Sequence, residues 1–121
     1  MEQNGFADTG SLKISEDVLA AIAGNATREI KGVAELSLRP NSDGINLFHK
    51  KSIGKAIRLE IKDGDAVIDI YVNIFSGVKI PEMSEQIQSR VKETIQNMTG
   101  ITVSKVNVHI SGLVIAEAVQ E

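Results

Sequence analysis

The chain has 121 residues, 42% of them hydrophobic and 24% charged, with a formal net charge of −3. That length suits one globular domain with a sizeable core. The acidic balance argues against a general nucleic-acid binder, which needs a net basic face, and the absence of cysteine excludes a disulfide framework and thiol chemistry.

Residues 1–10 are polar and contain glycine, the composition of a flexible lead-in. Met1 to Gly5 offer neither a basic n-region nor an apolar h-region, so no signal peptide is expected. No stretch approaches the length of a transmembrane span. Leu12-Lys13-Ile14 predicts a short edge strand. Ser15 is a good N-cap, and Glu16 and Asp17 place negative charge at the positive end of the helix that follows. Val18, Leu19, Ile22, Ala23, Ala26 and Ile30 form its apolar stripe, with Gly32 as the stop. Ala34, Leu36 and Leu38 then alternate with Glu35 and Ser37 as a strand.

Residues 41–56 are irregular, opening on the turn cluster Asn41-Ser42-Asp43-Gly44. Ile57, Leu59 and Ile61 alternate with Arg58, Glu60 and Lys62 as the next strand. Asp63-Gly64 makes a tight hairpin into a long central strand, because that pair readily supplies the positive φ values of a primed turn. In the central strand Ile68, Ile70, Val72 and Ile74 share one face, and Asp69, Tyr71 and Asn73 the other. Ile80-Pro81 opens a second helix. Met83, Ile87, Val91, Ile95 and Met98 form its stripe, and Gly100 suits a left-handed cap. Ile101-Thr102-Val103, Val106, Val108 and Ile110 make the last strand, with Leu113-Val114-Ile115 continuing past a bulge and residues 116–121 forming a frayed acidic tail.

The order β-α-β-β-β-α-β, each element apolar on one side, predicts an α+β two-layer sandwich. Residues 11–115 make a single domain with both helices on one face of a mixed sheet. The crossover through the second helix should be parallel. The opposite sheet face is the surface to search for function; it should show Asp69, Tyr71, Asn73, Lys105, Asn107 and His109.

Asp69 and His109 can pair there as an acid–base couple or belong to a solvated polar face. No serine or threonine stands in a nucleophile-elbow pattern. His49 and His109 are the only histidines, far apart and without cysteine, so neither a metal site nor a cofactor is expected. The stretch from Phe48 to Arg58 holds Lys50, Lys51, Lys55 and Arg58 and no acid. It reads as a solvated loop or as an electrostatic docking patch for an acidic protein or a membrane surface. Val67, Tyr71 and Phe75 line up on the outward sheet face. Such a row is either exposed or covered, by an extra segment or in self-association.

Five phrases carry a resemblance. Gly10-Ser11-Leu12-Lys13-Ile14-Ser15-Glu16-Asp17-Val18, Lys31-Gly32-Val33-Ala34, Gly77-Val78-Lys79-Ile80-Pro81-Glu82, Asn97-Met98-Thr99-Gly100 and Val106-Asn107-Val108-His109-Ile110-Ser111-Gly112 resemble, in order, blocks of the alkaline shock protein family. These are cell-envelope stress-response and general-stress proteins of mainly Gram-positive bacteria. The resemblance implies a small cytoplasmic protein without known catalysis, often held at the membrane through a partner and prone to self-association. It offers no catalytic residues to carry over. The expected function is therefore a non-enzymatic interaction or scaffold module, forming homo-oligomers and binding a protein partner that can be membrane-anchored. The alternative is a regulator module binding a small ligand or RNA at the basic loop.

Overall fold

The computed structural model describes residues 10–37 and 56–115. Its elements are α1 (Glu16–Arg28), β1 (Val33–Leu36), β2 (Ile57–Lys62), β3 (Asp65–Phe75), α2 (Ile80–Thr99) and β4 (Thr102–Val114). Local chemistry sets most boundaries. The Ser15 hydroxyl accepts from the Val18 amide at 3.1 Å, capping α1. Asp63 and Gly64 both have positive φ, 51° and 85°, as the two-residue hairpin between β2 and β3 requires. Pro81 occupies the first turn of α2, and Gly100 closes it in the left-handed region.

The sheet is mixed, with β3 at its centre. β4 runs parallel to β3 along Asp65–Phe75. On the other side β2 pairs antiparallel with Asp65 to Ile70, and β1 with Val72 to Ile74. A strand has only two edges, so β1 and β2 must lie end to end along one of them. Together they act as a single edge strand, interrupted between Ser37 and Ala56.

Both helices cover one face. Ile68, Ile70, Val72 and Ile74 from β3 and Ile87, Val91 and Ile95 from α2 are at most 1% exposed. Leu19 and Ala23 of α1 join the same core. Each large apolar side chain removed from water contributes on the order of 1.5–3 kcal/mol. The small residues Ala20, Ala23, Gly24 and Ala26 are all buried on α1, which packs against α2.

Several expectations need correction. Leu12-Lys13-Ile14 forms no strand, so the order begins with α1. Leu12 is 78% exposed and only Ile14 touches the core, so the alternation has no buried face to hold it against the sheet. Helix α1 stops at Arg28, four residues before Gly32. A bulge between Val33 and Glu35 places Val33, rather than Ala34, in the core. Val18 and Met98 fall outside the buried stripes, at 49% and 66% exposure. Gln88, which the stripe places on the outer side of its helix, donates to the Val106 carbonyl of β4 at 3.1 Å.

Candidate functional site: the outward face of the sheet

Alternation along β3 turns Val67, Asp69, Tyr71, Asn73 and Phe75 away from the helices. The register puts Asn107 beside Asp69 and His109 beside Tyr71 on β4, and Arg58 opposite Asp69 on β2. Asp69 Oδ1 is the hub. His109 Nε2 lies 3.0 Å from it and Asn107 Nδ2 donates to it at 3.1 Å. Burial pushes the Asp69 carboxyl up, but the hydrogen bonds from His109 and Asn107, helped by the His109 and Arg58 charges, hold it below its ordinary 3.8. An ionised carboxylate only accepts, so His109 must donate through Nε2.

The His109 ring also stacks on Tyr71, with centroids 4.3 Å apart and planes 9° apart. Further along, Asn73 Nδ2 donates to Glu35 Oε2 at 2.8 Å, tying β3 to β1 across this face. Of the apolar row, Val67 and Tyr71 are half-buried and Phe75 is 37% exposed.

Phe48, Lys50, Lys51 and Lys55 lie outside the described residues. Their chain neighbours on either side are placed. The Ser37 amide donates to the Tyr71 carbonyl at 2.9 Å, and Ile57 pairs with Ile70. The segment holding the basic cluster therefore leaves and rejoins the sheet at adjacent points of one edge, beside Tyr71. Of the five residues proposed for partner binding, Arg58 is the one whose position is described, on the same face as Asp69.

Sequence reasoning missed Glu35 as a member of this face, and the role of Gly112. A glycine inside a strand pattern signals a bulge or a close approach. Here it is both: the register shifts between Val72 and Asn73, and a Cβ on Gly112 would meet Asn73 Oδ1 at 2.9 Å.

Chemically, Asp69 orients an imidazole, yet no hydroxyl among the described residues is hydrogen-bonded to His109. Nor does any group of three or more His, Cys, Asp or Glu able to hold a metal occur among them. On the helical side an open groove of about 420 Å³ is lined by Ile30, Glu85, Gln86, Ser89, Arg90 and Glu93. An exposed Arg90–Glu29 ion pair of 2.7 Å spans the two helices at this end. No helix among the described residues is long and apolar enough to cross a membrane.

The family described as "ASP23 family, cell envelope-related function" matches residues 5–115. An uncharacterized Streptococcus pyogenes protein, Spy1535, is 39% identical over 106 residues, covering 87% of this chain and 80% of its own. Uncharacterized YqhY of Bacillus subtilis is 31% identical over 112 residues, covering 93% and 83%. Among solved structures, a variant of MamM CTD superposes with a TM-score of 0.56 at 12% identity, covering 82% of this chain and 84% of the other. At that identity the likeness concerns the fold alone.

Proposed function

Because the chain belongs to the ASP23 family, described by a cell envelope-related function, we propose that it is a non-enzymatic interaction or scaffold module of the bacterial envelope stress response. It works in the cytoplasm and reaches the membrane through a protein partner. The observation that carries this reading is the junction beside Tyr71, where the segment bearing Lys50, Lys51 and Lys55 joins the sheet next to Arg58 and the Asp69–His109–Asn107 cluster. A basic segment rooted beside a polar, partly aromatic face suits an acidic protein surface. The Val67–Tyr71–Phe75 row is proposed as a contact between copies, since an apolar row in an otherwise polar face favours being covered.

Size-exclusion chromatography combined with affinity capture and mass spectrometry tests the reading. A scaffold gives oligomers and a reproducible protein partner from the envelope fraction. A monomer without protein partners, shifted in melting temperature by a metabolite or RNA, would instead identify a ligand-binding regulator.

A further inference from the structure

Strand β4 forms one edge of the sheet, and its two halves differ. The direction of its backbone groups follows from β3. The Tyr71 carbonyl accepts from Ser37 and the Phe75 amide donates to Gly32, so odd-numbered β3 residues point their polar groups toward β1. Even-numbered ones must therefore point toward β4. Their register partners Val106, Val108, Ile110 and Leu113 consequently turn their own amides and carbonyls outward, away from β3. The Ser76 amide donating to the Val114 carbonyl fits the same alternation.

The first half of this edge is blunted. Gln88 of α2 occupies the Val106 carbonyl, Ser104 is bulged out of register, and Lys105 adds a charge. Among the described residues the second half has no such protection. From Val106 to Ile115 there is no Asp, Glu, Lys or Arg. Ile110, Leu113 and Ile115 are 36%, 63% and 62% exposed, and among the described residues nothing is hydrogen-bonded to the outward groups of Val108, Ile110 or Leu113. Helix α2 extends the patch. Ile80, Ser84 and Gln88 fall on one helical line; Ile80 lies about 12 Å from Gln88 along the axis. That distance, at about 3.3 Å per strand residue, sets Ile80 above the region of Ile110. Ile80 is 44% exposed.

We propose that the open half of β4, Val108 to Val114, pairs antiparallel with the same edge of a second copy about a twofold axis between Ile110 and Ser111, which sets Val108 of one copy opposite Leu113 of the other. A twofold contact needs a surface that matches itself. This one does: it opposes no like carboxylate or ammonium charges, offers donors and acceptors in alternation, and brings Ile80, Ile110 and Leu113 of both copies to the helix side of one seam. A charged partner strand would instead bury unpaired charge among these groups. The stretch spans roughly 23 Å, so the seam falls below the about 800 Å² per partner of a standard interface. The dimer should accordingly dissociate on dilution within the micromolar range. This contact deepens the scaffold reading and rests on it for the expectation that copies meet; it is separate from the Tyr71 row on the sheet face.

Sedimentation velocity over a concentration series of the full chain tests it, with Ile110→Lys, Leu113→Lys and the Tyr71→Ser, Phe75→Ser double variant. A concentration-dependent parent dimer is expected, weakened at least roughly hundredfold by either lysine, which would bury an unpaired charge, and retained by the double variant. A dimer indifferent to both lysines overturns the β4 contact; if the double variant abolishes it, the scaffold reading survives. A parent monomeric throughout overturns both the contact and self-association. Circular dichroism checks folding. Should a lysine variant unfold, hydrogen exchange of the parent decides: amides of Val108, Ile110 and Leu113 slow with rising concentration if the seam forms, and unchanged exchange rejects it. Slowing only after a captured foreign protein is added would assign the edge to that protein and overturn the proposal.

Discussion

The Asn73 side chain lies directly over Gly112, so closely that a Cβ on Gly112 would sit 2.9 Å from Asn73 Oδ1. From there Asn73 reaches Glu35 at 2.8 Å, so a missing side chain on β4 makes room for a bond between β3 and β1. Gly112→Ala should therefore destabilise the fold by about 1–3 kcal/mol, as overpacking does. Asn73→Ala removes the clashing oxygen, so the double variant should recover most of that loss in a double-mutant cycle by urea unfolding. Simple additivity would show that Asn73 is not what Gly112 accommodates.

The core prediction concerns α2. Ile87 is fully buried between the helix and the sheet. Ile87→Ala should cost about 2–5 kcal/mol in chemical unfolding. Lys92→Ala, on the exposed side of the same helix, should change stability by no more than about 0.5 kcal/mol. Comparable losses would contradict the assignment of the buried stripe.

Much of this arrangement is legible in the chain. Period two from Ala66 to Phe75 and the run Met83, Ile87, Val91, Ile95 fix β3 and α2, because a long element with one buried face repeats its constraint many times. The Asp69–His109 proximity follows from a parallel crossover joining two such strands. Short elements give less. Val33 rather than Ala34 is buried because a bulge, a pairing event outside the local pattern, shifts the phase of a four-residue strand. Leu12-Lys13-Ile14 alternates like a strand, yet Leu12 is exposed and the stretch runs straight into the Ser15 cap of α1. The hydrogen bond from Gln88 to Val106 is also invisible to periodicity, which separates buried from exposed and says nothing of a polar side chain reaching sideways to an edge strand.

Acid should weaken the outward face. The native Asp69 carboxyl titrates below its ordinary 3.8, so protonation is harder in the folded chain than in the unfolded one. Its contribution to stability is fully present above the unfolded value and is lost as pH falls through the lower native one. Asp69→Asn should flatten that part of the stability profile between about pH 5 and pH 2. The check is urea unfolding of parent and variant across this range. Parallel profiles would mean that the carboxylate gains nothing from His109 and Asn107.

Partner capture by the basic segment is the central claim, and its salt dependence tests it most directly. The range of a charge interaction falls from about 10 Å at 0.1 M salt to about 3 Å at 1 M. The measurement is affinity capture from the parent organism's lysate across that salt series, using the parent chain and a Lys50→Glu, Lys51→Glu, Lys55→Glu variant. A protein partner that is captured by the parent, released as salt rises and missed by the folded variant is the predicted result. Equal, salt-insensitive capture by both chains would contradict the account.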